Sequence, residues 1–131
     1  FWEAKKLIYG IGIDLCSIRR VQNIKDLNKF ANKILTSGEI KYLDTLDQKN
    51  SVNYLAKQFA AKEALSKALG TGLIGDVKLN LIEIDRDQSG KPYIKMNNHM
   101  KTLLSKIGVN STFVSLADDS DFAVATVILE R

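Results

Sequence analysis

Several acidic and basic residues have spacings that could bring their charged side chains together at one place in the fold. Glu63 and Lys67 are four positions apart in a long helical pattern, so they would be neighbours on one helix face. Lys62 lies one step round that helix, beside Ser66. Taken alone, this spacing favours an ordinary solvated ion pair, which is worth only a few tenths of a kcal/mol. A functional interpretation therefore depends on the rest of the chain.

A strand pattern in the first part of the chain positions one more carboxylate. Residues 7–13 alternate, which predicts a strand with Gly10, Gly12 and Asp14 on one side. Glycines in a strand often mark a close approach by a ligand or another backbone. The spacing of Leu15, Ile18 and Val21 then predicts a helix, which Asp14 could cap.

Turn and cap residues predict the remaining elements. Thr36 with Glu39 fits a capping box at the start of a second helix. The longest helix should span residues 53–69 and end at Gly70. Two hairpins are predicted, one formed by residues 77–84 with 93–96 and the other by residues 112–116 with 122–130. Between them, a further helix should begin after Asn97 or Asn98 and end at Gly108. The chain thus predicts one α+β domain, residues 1–131, of mostly antiparallel strands packed with helices, in which 1–6 form a trimmed or processed start.

Composition narrows the class of protein. The chain has 131 residues, a formal charge of +4 and a pI near 9.2, which suit an anionic partner or simply aid solubility. Cys16 cannot form a disulfide within the chain, and His99 is the only histidine, so a zinc site is not expected. We predict a cytoplasmic protein with no transmembrane segment.

Short motifs occur in a fixed order along almost the whole chain. They are YGIGID (9–14), ILTSGE (34–39), FAAKEA (59–64) with Lys67, GTG (70–72), IEI (82–84), GKP (90–92) and VSL (114–116). In this order and spacing the chain resembles the holo-acyl-carrier-protein synthase family of 4'-phosphopantetheinyl transferases. The resemblance implies a transferase of fatty acid biosynthesis. It would move 4'-phosphopantetheine from coenzyme A to a serine of apo acyl carrier protein and release 3',5'-ADP.

The resemblance also implies a magnesium site. Asp14 and Glu63 match the family's metal ligands, and magnesium is commonly held by one or two carboxylates with water and phosphate oxygens. Lys67 matches the phosphate-contacting lysine and completes the expected catalytic set. The base for the serine stays open among Glu63, Asp14 and a metal-activated water. Residues expected at the coenzyme A site are Lys62, Ser66, Lys67, Gly70 and Pro92.

Partners follow from the same resemblance. Arg20 matches a family position that holds the acidic carrier protein, and Arg19 and Lys25 are its neighbours, although each could be a solvated surface charge. The family is typically a homotrimer whose sites lie between subunits.

Three positions depart from the family pattern, and two other interpretations compete. Gln58 stands where relatives often have arginine, and Phe113 and Asp118 stand where they often have histidine. These departures leave nucleotide contacts at the three positions unassigned. The alternatives are a small basic nucleic-acid-binding module, which would need a stacking platform of aromatic residues that the sequence lacks, and an inactive relative that only binds carrier protein.

Overall fold

The structure, a computed structural model, describes residues 7–131. The predicted processed start at residues 1–6 therefore lies outside the described residues. Within the described part, helices and strands surround one apolar core. The elements, in chain order, are β1 Ile8–Ser17, α1 Ile18–Gln22, α2 Leu27–Ile34, α3 Ser37–Leu43, α4 Gln48–Leu69, a 3-10 helix Leu79–Leu81, β2 Ile84–Arg86, β3 Pro92–Ile94, α5 Asn98–Ile107, β4 Ser111–Asp118 and β5 Phe122–Glu130.

The strands form two antiparallel sheets. One sheet has the order β1-β5-β4, and β2 and β3 form a separate hairpin. Ala123, Ala125, Val127 and Leu129 on the inner side of β5 are buried, and the central helix α4 packs against β1 and β5. Helices packed on antiparallel strands confirm the predicted α+β class. No helix formed by residues 7–131 is both long enough and apolar enough to cross a bilayer.

Helix α4 lies unusually close to β1, because glycines face it. A Cβ atom added at Gly12 would stand 1.8 Å from the carbonyl oxygen of Ala64, and one added at Gly10 would stand 1.9 Å from that of Ala68. The glycines of the strand therefore mark a close approach of another backbone, one of the two outcomes their position predicted.

We expect Gly12→Ala to destabilise the protein by about 3 kcal/mol, because the new methyl group overlaps helix backbone that cannot move aside. Gly75→Ala is the control. Gly75 has a φ of +57° and no atom within 4 Å of an added Cβ, so only the left-handed backbone penalty of about 1 kcal/mol applies. Urea denaturation measures both free energies of unfolding, and equal losses would contradict the close-approach explanation.

One local prediction at Asp14 is wrong. Strand β1 continues through Ser17, so Asp14 and Leu15 are strand residues and Asp14 does not cap α1. The cap is Ser17, whose side-chain oxygen accepts from the backbone N–H of Arg20 at 3.3 Å. The correction leaves the Asp14 carboxylate free of the structural role that competed with ligand binding.

Two further differences concern short elements. Helix α2 was not predicted, although Asp26 caps it and its buried Ala31 and Ile34 have helical spacing. The strand predicted over 77–84 is wrong, because a 3-10 helix occupies its middle and only Ile84 joins β2. The predicted turns and caps are confirmed at the Thr36 capping box, the left-handed glycines 70 and 108, Asn97 and the hairpin of β4 with β5. The other hairpin forms about the predicted turn, but its first strand is Ile84–Arg86.

The outer face of the three-stranded sheet is mostly apolar, and its residues on β1 are exposed. On β1, Ile11, Ile13 and Leu15 are 67%, 63% and 62% exposed. The strand register extends this pattern across the sheet. We call the set the outer sheet face; its rows are Ile11–Ile128–Phe113, Ile13–Thr126–Ser115 and Leu15–Val124–Ala117.

Candidate active site

A lysine ammonium connects the end of β1 to α4. Lys67 donates from Nζ to the Asp14 carboxylate at 3.1 Å and to the carbonyl oxygen of Ile13 at 3.0 Å. The Asp14 side chain is 16% exposed, whereas that of Lys67 is 53% exposed. The strand therefore fixes the carboxylate in a partly enclosed position, and the lysine covers it from the solvent side.

Glu63 is the second carboxylate at this place. Burial, and then the negative charge of Asp14, raise the pKa of Glu63, while the charge of Lys67 opposes the increase. The negative charge of Asp14 beside Glu63 makes this a place at which a cation would be stabilised. We call Asp14 and Glu63 the acidic pair.

The acidic pair fits a magnesium ion better than a zinc ion. Among residues 7–131, no group of three or more His, Cys, Asp or Glu side chains could surround a metal. Structural zinc requires four protein ligands, whereas magnesium accepts one or two carboxylates and takes its other ligands from water and phosphate. The donor set is thus compatible with a hard divalent cation and does not suit structural zinc.

Two residues predicted to contact coenzyme A lie inside the protein. Lys62 is completely buried, and its ammonium donates to three oxygen atoms within the fold. Burial lowers its pKa, against the opposing charge of Glu39. Ser66 is also buried, and its hydroxyl donates to the carbonyl oxygen of Glu63 at 2.7 Å. The structure therefore does not bring Lys62 or Ser66 to the exposed side of the acidic pair, and we give neither a substrate contact.

The other predicted cofactor residues lie on separate elements. Gly70 ends α4 in the left-handed conformation, with its N–H bonded to the carbonyl oxygens of Ser66 and Lys67, so it follows the acidic pair along the same helix. Pro92 pairs with Arg86 in the two-stranded sheet and is not part of the Asp14–Lys67 contact.

Basic side chains follow directly after the strand that carries Asp14. Arg19 and Arg20 are exposed on α1, which Ser17 caps immediately after β1, and Lys25 is exposed in the following turn. The structure thus places a positive surface at the carboxyl end of β1, near the acidic pair in the chain.

A groove of about 880 Å³ lies outside the acidic pair and was missed at the sequence level. Tyr42 and Tyr54, whose ring centroids are 5.0 Å apart, form part of its wall. Lys57 pairs with Asp118 at 3.7 Å, and the buried Gln58 amide donates to Glu39 and to a backbone oxygen. The recurrence of polar side chains at helical spacing along 50–57 could have indicated this wall. Phe113, the remaining departure, lies on the outer sheet face.

Comparison with known proteins decides the family. A family model described as the 4'-phosphopantetheinyl transferase superfamily matches residues 10–127. The chain belongs to this superfamily. The matched residues include the acidic pair, Lys67 and the three-stranded sheet, apart from the first two residues of β1 and the last three of β5.

Relatives within the superfamily match over nearly their whole length. A holo-[acyl-carrier-protein] synthase of Buchnera aphidicola is 41% identical over 126 residues, covering 94% of this chain and 98% of that protein. One from Bacillus subtilis is 38% identical over 126 residues, covering 95% and 98%. Among solved structures, the holo-[acyl-carrier-protein] synthase of Neisseria meningitidis has a TM-score of 0.88 at 38% identity, covering 95% and 100%. That of Bacillus anthracis, in complex with CoA (3',5'-ADP), has a TM-score of 0.82 at 35% identity, covering 95% and 98%.

Proposed function

We propose that this protein transfers 4'-phosphopantetheine from coenzyme A to a serine of apo acyl carrier protein, in the cytoplasm and for fatty acid biosynthesis. The observation that carries the proposal is the contact of Lys67 with Asp14 beside Glu63, which combines a cation site with a phosphate-binding ammonium. The names of the relatives and the coenzyme A complex of the Bacillus anthracis protein support the same activity.

Asp14 and Glu63 are the proposed magnesium ligands. A bound magnesium ion would neutralise charge on the pyrophosphate of coenzyme A. Lys67 is half exposed, so its ammonium can turn from Asp14 to a phosphate oxygen without leaving the site. It would hold the negative charge of the oxygens on the attacked phosphorus throughout the reaction.

The reaction exchanges one phosphorus–oxygen bond for another. The serine oxygen of the carrier protein attacks the β-phosphorus of coenzyme A, and the bond from that phosphorus to the bridging oxygen breaks, which releases 3',5'-ADP. The serine proton must leave as the bond forms. The acceptor of this proton stays open among Glu63, Asp14 and a metal-activated water.

The basic surface of α1 is the proposed docking site for the carrier protein. Arg19, Arg20 and Lys25 are exposed, and α1 begins where the strand of Asp14 ends. An acidic helix that binds there would present its serine close to the acidic pair. Complementary charge of this kind raises the association rate and sets orientation.

Arg20→Glu is expected to raise the KM for carrier protein about tenfold or more while leaving the KM for coenzyme A within about twofold, because opposed charge is replaced by like charge. Steady-state kinetics with each substrate varied in turn measure this. Lys101→Glu, a charge reversal at an exposed position on α5, is the matched control. Equal losses for both substrates, or no loss, would remove the docking role.

We further propose a homotrimer with its active sites between subunits. The outer sheet face is the supporting observation, since contiguous exposed apolar surfaces mark protein–protein contacts. A small domain also offers little concave surface for a long, charged substrate, so a neighbouring chain could supply the second wall. Pro92, which lies in the separate hairpin, is a candidate for that wall.

The proposed activity is tested by following the fate of coenzyme A. With magnesium and an apo carrier protein, chromatography should detect 3',5'-ADP in proportion to the carrier protein added. A nucleic-acid-binding module or an inactive carrier-binding relative would leave coenzyme A intact. Release of 3',5'-ADP at the same rate without carrier protein would contradict transfer.

A further inference from the structure

The proposed reaction leaves a fully buried ion pair without a role. Lys62 is 0% exposed, and its Nζ donates to the carbonyl oxygen of Ile34 at 2.6 Å, to Glu39 Oε1 at 2.6 Å and to the carbonyl oxygen of Leu79 at 3.0 Å. These acceptors lie in α2, α3 and the 3-10 helix. An ammonium has three protons, so one side chain of α4 binds three separate elements and has no donor to spare.

Glu39 is the matching centre on the other side of the ion pair. Its Oε1 accepts from Lys62 and from the backbone N–H of Thr36 at 2.9 Å, and its Oε2 accepts from the backbone N–H of Ile84 at 3.0 Å and from Gln58. The capping box thus forms one part of a larger network that joins α3, α4 and β2. A fully satisfied buried network of this kind rigidifies the elements that it joins.

The packing of α4 on β1 bears on what the buried network does. Gly10 and Gly12 present no side chains to the helix, and the residues facing them are Ala64 and Ala68. A contact between glycines and alanines has few side chains that interdigitate, so the rotation of α4 about its axis must be set by contacts elsewhere on the helix, among them the three hydrogen bonds of Lys62. Rotation would redirect Glu63 together with the helix. Functional sites require their groups to be held within about 0.5 Å of the productive geometry.

Stability alone is a weak reason for the ion pair, because apolar residues of similar volume often stabilise a core equally well. We propose that Lys62 and Glu39 are positioning residues, which fix the rotation of α4 and thereby direct Glu63 at the divalent cation. This inference rests on the proposed function. It assigns a different role to each of two adjacent residues of α4. Lys62 points into the core and fixes the rotation of the helix, and Glu63 binds the cation.

The double variant Glu39→Gln/Lys62→Met separates positioning from stability and charge. It removes one negative and one positive charge, so the net charge near Glu63 does not change, and it keeps the side-chain volumes. In the presence of coenzyme A, we expect it to bind Mn²⁺ about 10–100-fold more weakly than the wild type. Losses of this size are typical when a residue that orients a metal ligand is replaced. Electron paramagnetic resonance of free Mn²⁺ measures this affinity independently of transfer. Lys49→Met, at an exposed position of the same helix, is the control.

Each outcome bears on a specific claim. Wild-type Mn²⁺ affinity in a folded double variant would overturn the positioning role and leave the proposed function intact. Wild-type protein that does not bind Mn²⁺ with coenzyme A would contradict the metal assignment, and the inference with it. If the double variant does not fold, Glu39→Gln alone changes a single member of the network and should weaken Mn²⁺ binding about tenfold, the lower end of the same range. Unchanged affinity in that variant would equally overturn the inference.

Discussion

Asp14→Ala and Glu63→Ala are each expected to lower phosphopantetheine transfer at least about a hundredfold, with little change in melting temperature. Each variant removes one of the two carboxylates that are proposed to hold magnesium. Loss of electrostatic stabilisation at a reacting phosphorus costs factors of this size. The fold should persist, because the Asp14 carboxylate does not cap α1 and relief of repulsion between the two carboxylates favours the folded state.

The carboxylates can be tested with a matched control. Asp76→Ala removes an exposed carboxylate outside the acidic pair and should leave the rate within about twofold, as surface changes usually do. Transfer rates at several magnesium concentrations, together with calorimetric melting curves, provide the comparison. Near-normal turnover of either variant, with a normal melting curve, would show that the metal assignment at that position is wrong.

Ile11→Glu is expected to dissociate the proposed trimer and to abolish most transfer. Ile11 is 67% exposed in the single chain, so a glutamate there costs the monomer little. In a trimer built on the outer sheet face, the same charge would be buried against apolar neighbours without a partner, which is strongly unfavourable. Sedimentation velocity should therefore detect monomers in place of trimers.

Ile74→Glu is the matched control for oligomeric state. Ile74 is 69% exposed but lies in the loop after α4, outside the outer sheet face. It should leave sedimentation unchanged. A wild-type protein that sediments as a monomer and transfers at full rate would contradict the trimer. If sites are shared, mixing Glu63→Ala with a Pro92 variant that is inactive by itself should restore part of the activity under subunit exchange, because one site in the mixture would have Glu63 from one chain and Pro92 from its neighbour.

The candidate site residues could be recognised in the sequence because each one belongs to a motif with local meaning, and their roles stay predictions. The glycine-containing strand before Asp14 and the helical spacing of Glu63 and Lys67 are visible in the sequence. The family resemblance then predicts that these three residues share one site. The structure adds the direct contact of Lys67 with Asp14 and shows that Asp14 is a strand residue. The capping error arose because Leu15, Ile18 and Val21 fit helical spacing even though the first of them lies in an extended strand.

The buried network could not be predicted from local patterns. In the sequence, the capping box already accounts for Glu39. The partners of its second oxygen, Gln58 and Ile84, are 19 and 45 positions away, so local spacing does not reveal them. Lys62 is charged, and charged side chains are usually exposed. Only the tertiary arrangement places it in the core. The 3-10 helix that replaces a predicted strand contacts the same network, since the carbonyl oxygen of Leu79 accepts from Lys62.

The most direct test of the proposed function is the intact mass of the carrier protein after incubation with this protein, coenzyme A and magnesium. The proposed function predicts a gain equal to one phosphopantetheine on the apo carrier protein. It predicts no gain when magnesium is chelated, when the acceptor serine is replaced by alanine, or when Glu63→Ala replaces the wild type. An unchanged mass with a competent carrier protein and folded wild-type protein would contradict the proposed activity.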